Sequence, residues 1–597
     1  MTTTGPIDVG SAVGMVNGPE GVAIDWDFVD WGRVEGEVRR LRQRIFAASR
    51  AGDLRKVRNL QKLMLRSRAN ALLSARRVTE VNAGRKTAGV DGEVITAAEQ
   101  KAELADWLQH RAEPWSPRPV KRVYVPKSDG RRRPLGIPVT ADRALQALTV
   151  NALEPEWEAR FEPRSYGFRP GRGCHDAIMA IYTTARGKNA KRLWVLDADL
   201  EAAFDRLDHD LILAALGGFP ARGLIRQWLK SGVIESGRFA PTDEGAPQGG
   251  VVSPLLMNVA LHGMEAAAGV RYRKYGSDAV HTEHDSPVLV RYADDLLALC
   301  HSREQAELVK ARLAEWLAPR GLTFNEAKTQ LTHLDQGVDF LGFNVRRFRG
   351  KLLTKPSKDA MRRIRKRLST EMKALRGANA DAVIGRINPI IFGWTAYYRI
   401  GVSKRAFQAL DNHMWKLAYK WAKLSHPNKS RHWVATRYFG RFNPFRRNTW
   451  VFGSQDSGYY LRKSAWTPIV RHRMVAGTAS PDDPDLSHYW AERRQRSQLP
   501  LGNATRLLLQ EQRGRCPLCG GMLLLADREP QDPEEWERWF EVTRKAVRHD
   551  AVTTTLVLDM PDGRVARRLV HTHCRRRATS VDMGPALQTA QKPSGFA

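Results

Sequence analysis

The sequence predicts a multidomain α+β protein, and three observations carry that expectation. The chain has 597 residues, more than one hydrophobic core supports. Short β-like runs alternate with helical stretches from about residue 120 to 345, and helices dominate from about 357 to 440. Hydrophobic residues make up 42% and charged residues 27%, the balance of a folded chain. The charge itself is lopsided: 96 Lys and Arg face 64 Asp and Glu, a net of +32 with a pI near 10.3. Such a surplus favours a polyanionic partner, above all nucleic acid. No apolar run of about 20 residues exists, so a membrane partner is not expected. The opening MTTTGPIDVGSAVGMVNGPEG has neither a basic residue nor an apolar core, so a cytoplasmic location is expected by default. Five cysteines in so long a chain argue against a disulfide scaffold, and three of them fall in the last hundred residues.

Taken in order, residues 31–78 read as a helical hairpin. Val34, Val38, Leu41 and Ile45 recur at helical spacing, Gly52-Asp53 interrupts, and Leu54, Val57, Leu60 and Met64 resume the stripe. The remaining positions are crowded with Arg39, Arg40, Arg42, Arg55, Lys56, Arg58, Lys62, Arg66 and Arg68, without matching acidic neighbours. That face suits a solvated surface or RNA contact. AGVDGE (88–93) is a Gly-rich turn. VKRVYVP, RLWVLDAD, SPVLVRYADDLLALC and VDFLGFNVRR read as the strands of the central domain. SPDDPD (480–485) punctuates the chain before a last domain at roughly 500–580.

The chemistry concentrates at RYADDLLALC (291–300). Asp294 and Asp295 sit side by side between apolar runs, with Arg291 the one basic residue of the stretch. Burying unpaired carboxylates costs several kcal/mol, on the order of a large share of a domain's stability. A divalent ion with oxygen ligands removes that cost. A second strand end, Asp197-Ala-Asp199, passes into a helix. Alone, Asp199 would read as a helix N-cap. Joined to Asp294 and Asp295, it supplies the three carboxylates that a pair of Mg²⁺ ions needs for in-line displacement at a 3′-hydroxyl.

Three blocks in order, Asp199-Leu-Glu-Ala-Ala-Phe204-Asp, Ala246-Pro-Gln248-Gly249-Gly-Val-Val-Ser-Pro254 and Tyr292-Ala-Asp-Asp295, resemble the polymerase core of reverse transcriptases, in the variant of group II intron-encoded proteins. VYVPKSDGRRRPLGIPVTADRALQ (123–146) and FEPRSYGFRPGRGCHDAI (161–178) resemble that family's fingers, and GLTFNEAKTQLTHLDQGVDFLGFNV (321–345) its closing palm segment. The resemblance implies right-hand fingers and palm, with Asp199, Asp294 and Asp295 holding two Mg²⁺. It places Phe204 as a steric gate against a 2′-hydroxyl and Gln248 with Gly249 beside the incoming dNTP. Lys127, Arg133 and Lys328 would meet the triphosphate. On its own Phe204 reads as a core residue of the following helix, and Lys127 and Arg133 as surface charge.

Residues 387–439 combine helical periodicity with Trp394, Tyr397, Tyr398, Arg399, Lys416, Lys420 and Lys423, the residue types that stack on unpaired bases and meet phosphate. Trp394 and Trp415 are expected in the core. The passage resembles the α-helical maturase or thumb domain of the same family, which implies binding of the parent group II intron RNA. In the last domain, Cys516 and Cys519 of CPLCGG with His571 and Cys574 of HTHC fit a tetrahedral Zn²⁺. This end resembles a small zinc-binding HNH-like domain, but LLLADREPQDP (523–533) lacks the histidine pair that such nucleases use, and His549 lies beyond it. A zinc-stabilised DNA-binding remnant is therefore expected.

The expected boundaries are a terminal segment (1–25), an RNA-binding helical extension (26–105) and fingers with palm (106–350). A thumb or maturase domain (351–445), a basic DNA-binding linker (446–500), the HNH-like domain (501–580) and a tail (581–597) follow. The expected partners are intron RNA, target DNA with its primer, and dNTPs, in a bacterial cytoplasm and at the nucleoid when on DNA. Two other readings stand beside this one: a domesticated or defence-associated reverse transcriptase, and an RNA-binding splicing factor with a silent polymerase.

Overall fold

The computed structural model describes residues 24–112, 114–126, 132–275, 279–443 and 445–496, and beyond these 508, 511–512, 515–518, 523, 530–548, 552–559, 564–571 and 574. The chain divides into two compact units, one formed by 1–125, 132–160 and 209–256, the other by 126–131, 161–208 and 257–597.

The first unit opens with the helices Trp31–Arg50, Leu54–Leu65 and Arg68–Arg76. Each begins on a side-chain cap: Asp30, Asp53 and Ser67 accept the backbone N–H of Arg33, Lys56 and Asn70. Asp53 is what converts one amphipathic stripe into a hairpin. These helices pack on Thr140–Glu158, which is buried on nearly every side. There the expected basic face is corrected at two positions. Arg58 forks onto Glu156 (2.7 and 3.1 Å) and Arg42 meets Glu154 (2.7 Å), so acidic partners about a hundred residues away neutralise them. A four-stranded sheet completes the unit in the order Arg132–Ile137, Val120–Pro126, Val233–Glu235, Arg238–Ala240.

The second unit is built round an antiparallel sheet whose order is Gln330–His333, Trp194–Asp199, Asp295–Cys300, Val288–Tyr292. Val195, Leu196, Val288, Val290, Leu297 and Leu299 are fully buried, which is why these strands are nearly uniform in apolar residues. A three-stranded sheet, Val338–Phe340, Phe343–Phe348 and Lys351–Pro356, leads into the helices Lys358–Ala374, Ala380–Tyr398, Lys404–Ser425 and Arg431–Tyr438. Trp394 is buried at 3% exposure, as expected. Trp415 is not: it is 40% exposed and stacks on Tyr419 at 5.6 Å. Helical spacing puts it beside the apolar stripe rather than on it. The helix Pro533–Arg548 lies on Ala380–Tyr398, with Phe392 and Phe540 stacked at 4.2 Å and Trp536 and Trp539 in the same core. No helix among the described residues is long and apolar enough to cross a membrane.

Candidate active site

The strand Trp194–Asp199 runs antiparallel to Asp295–Cys300, with Asp199 directly opposite Asp295. Side chains alternate along a strand, so this register puts both carboxylates on one face, and Asp197 joins them two residues back. Asp294 belongs to the two-residue turn that links the paired residues Tyr292 and Asp295. Asp295 is pushed up to about 7, first by burial and then by the charges of Asp294, Asp199 and Asp197. Asp197 rises to about 6, again by burial first, with Asp199 and Asp339 adding to it and Gln330 opposing. Burial and neighbouring carboxylates thus raise both Asp295 and Asp197, a concentration of negative charge that a divalent ion would offset. Lys328 Nζ donates to Asp199 Oδ2. It arrives there because the segment after Gly321 follows the strand end, Asn325 N–H donating to Asp199 O at 2.8 Å.

The turn carries a strained residue. Ala293, its first central residue, has φ +58°, a value that hairpin turns usually reserve for glycine. Arg291 holds it. The fully buried guanidinium donates to Ala293 O (3.1 Å), Asn258 Oδ1 (2.9 Å) and Ser165 Oγ (2.6 Å). The loop 164–167 lies alongside, with Tyr166 N–H donating to Arg291 O and Arg291 N–H to Arg164 O. A Cβ on Gly167 would stand 2.3 Å from Ala293 N, so only glycine allows that approach. Sequence reading missed Arg291, Asn258 and Ser165 because they are 33 and 126 residues apart. It could have found Asp197 from strand alternation alone.

Phe204 is 8% exposed and meets Phe168 edge-on at 6.2 Å. Arg133, Gln248 and Gly249 belong to the first unit. There Gly136 N–H donates to Gln248 O at 2.7 Å, and Gly249, at φ +129°, leaves no space for a Cβ against Gly136 O. Arg133 is exposed three residues earlier on the same strand. Lys127 lies outside the described residues.

A second donor set lies near the end of the chain. Cys516, His571 and Cys574 place their ligand atoms within 4.8 Å of one another, with Cys574 Sγ 3.8 Å from His571 Nδ1. Thiolate and imidazole at that spacing suit the edges of a zinc tetrahedron. Cys519 lies outside the described residues, as do His549 and His573. Within LLLADREPQDP, Gln531 is 8% exposed and accepts Cys174 N–H at 2.8 Å, the first residue of the helix Cys174–Ala185.

Comparison with known proteins bears on this geometry. Residues 125–345 match the model of a reverse transcriptase (RNA-dependent DNA polymerase), 26–108 an N-terminal domain of reverse transcriptase, and 361–439 a group II intron, maturase-specific domain. The chain belongs to the family of group II intron reverse transcriptase/maturases. Protein YkfC of Escherichia coli (strain K12) is 34% identical over 312 residues, which cover 47% of this chain and 81% of YkfC. The group II intron-encoded protein LtrA of Lactococcus lactis subsp. cremoris is 28% identical over 286 residues, 38% of this chain and 47% of LtrA. The reverse transcriptase fold is thus that of the family, and family membership implies a divalent metal such as Mg²⁺ at the polymerase centre.

Proposed function

We propose that this chain is an RNA-directed DNA polymerase that copies its intron RNA from a DNA primer, and a maturase that binds the same RNA to promote splicing. The observation that carries the polymerase reading is the register that sets Asp199 opposite Asp295, with Asp294 at the adjoining turn. These three carboxylates would hold two Mg²⁺. Such ions would supply Lewis-acid activation of a primer 3′-hydroxyl and offset charge on the leaving pyrophosphate. The protein's share is positional. Arg291 and Gly167 keep the turn in its strained form, and the buried strands keep the carboxylates from moving apart. Lys328, exposed beside Asp199, would meet a triphosphate oxygen. Phe204 closes the space under the sugar, and Gln248 with Gly249 presents a backbone that a nucleotide approaches closely. Lys127 and Arg133 receive the phosphates.

For the maturase function the support is the matched segment 361–439 and its exposed Trp415, Lys416 and Lys420. Cys516, Cys519, His571 and Cys574 would hold one Zn²⁺ that braces a DNA-binding C-terminal domain. The segment LLLADREPQDP, which has no histidine pair, supports a DNA-contact role over cleavage.

The test is primer extension on an RNA template with Asp294→Ala and Asp295→Ala together. Removing about 4 kcal/mol of charge stabilisation lowers the rate by about 10³-fold. RNA binding should stay within the wild-type range. Synthesis at the wild-type rate in the double variant would refute the assignment.

A further inference from the structure

A cleft of about 600 Å³ opens between the helix Ala380–Tyr398 and the segment 443–466, far along the chain from the carboxylates. A nucleotide fits a space of that size. Its lining has two features that packing alone does not explain.

The first is an excess of positive charge. Arg446 and Arg462 both line the cleft, and among the described residues neither forms an ion pair. They oppose each other, and burial further disfavours the charge on Arg462. The Arg462 backbone is anchored by its N–H to Asn388 Oδ1 (2.9 Å), and its guanidinium lies over the Phe392 ring at 5.8 Å. A weakly hydrated, planar guanidinium held in this way is suited to a phosphate, which it meets with two parallel N–H bonds.

The second feature is rigid aromatic wall. Tyr460 Oη accepts from Asn443 Nδ2 (3.1 Å), Trp466 Nε1 donates to Asn448 Oδ1 (3.0 Å), and the two rings meet edge-on at 6.0 Å. The remaining acid on the lining, Asp381, accepts Ser457 Oγ at 2.6 Å and keeps lone pairs for a second donor such as an exocyclic base amine.

We propose that this cleft captures one unstacked nucleotide of a nucleic-acid strand, its phosphate on Arg446 and Arg462 and its base against Trp466 with its edge toward Asp381. The inference rests on the reading of residues 446–500 as a nucleic-acid surface and narrows it from diffuse charge to a single-nucleotide site. Bulged and looped nucleotides present a free base and phosphate in this way. The chemistry is common to RNA and DNA, so the experiment carries both.

The experiment uses the full chain and fluorescein-labelled hairpins that are either fully paired or carry one bulged nucleotide, each in ribo and deoxy form, followed by anisotropy. Wild type should prefer the bulged form by about tenfold, the size of one base-stacking contact. Arg462→Gln and Trp466→Ala should each remove the preference, lowering affinity for the bulged hairpin by about tenfold more than for the paired one. Arg446→Gln, at an exposed position, serves if either of those variants melts early. The stronger of the ribo and deoxy arms identifies the strand. A bulge preference that survives Arg446→Gln and the folded members of the other pair overturns the proposal. So does a wild type that binds paired and bulged hairpins alike, an outcome that leaves the diffuse surface standing. Binding to neither hairpin overturns both.

Discussion

Arg291 shows how much of the candidate centre depends on a residue that touches no substrate. It is fully buried, and burial lowers its pKa to about 10 despite the nearby carboxylates of Glu162 and Glu265. Three acceptors, including the carbonyl of strained Ala293, depend on it. Arg291→Met should cost about 3–5 kcal/mol of stability, as uncompensated buried partners do, measured by chemical denaturation. Arg291→Lys keeps the charge but loses the fork, and should lower kcat while KM for dNTP holds, because the aspartates shift and the nucleotide contacts do not. Phe204→Ala should raise rNTP incorporation in primer extension by about tenfold or more, the discrimination worth 1–3 kcal/mol at a shape-limited site. Unchanged sugar selectivity would leave Phe204 a core residue packed on Phe168. Asp199, Asp294 and Asp295 were legible in the sequence because carboxylates at the ends of apolar runs contradict burial unless something binds them. Arg291 was not, since an arginine beside a tyrosine carries no sign that its partners lie at Ser165 and Asn258.

At the scale of elements, the Val288–Cys300 hairpin could be read in advance, whereas the loop 164–167 that braces it could not. A loop has no periodicity, and its partnership with Arg291 exists only in three dimensions. The same blindness hid Glu154 and Glu156 beneath Arg42 and Arg58. Another long-range pairing has a pH signature. Glu265 is buried, accepts Arg164 N–H at 3.0 Å, and is raised well above its ordinary value by burial first and by Glu162 second. A carboxyl whose pKa is raised on folding binds more protons in the native state, so its contribution to stability is full below the unfolded pKa near 4.5 and is lost as pH rises toward the folded value. The melting temperature should therefore fall as pH rises from about 4.5 to about 7 through this group. Glu265→Gln should flatten that slope and be the more stable form at pH 8. In the last domain, metal analysis should find one zinc per chain, and Cys574→Ser should remove it and loosen the Arg564–His571 strand in hydrogen exchange. A full chain with no zinc would reject the site.

For the whole molecule, the charge of +32 made a nucleic-acid partner legible before any motif was considered. Affinity for RNA should accordingly fall steeply with salt, linearly in log–log form, with a slope near −0.7 for each phosphate met in a single strand. Block order then made the family legible, because several short motifs in sequence constrain far more than one. What could not be read was how the last hundred residues are used. Their helix Pro533–Arg548 shares a core with Ala380–Tyr398, a contact formed from residues about 150 positions apart whose amphipathic stripes could have met any apolar surface.

The central claim is that carboxylates remote in sequence hold paired metal ions. The most direct measurement is a Mn²⁺ titration of the full chain with primer, RNA template and a non-reactive dNTP analogue, read by electron paramagnetic resonance. Two tightly bound ions are expected in the wild type, with the loss of at least one in Asp199→Asn and in Asp295→Asn. Equal metal occupancy in all three proteins would contradict it.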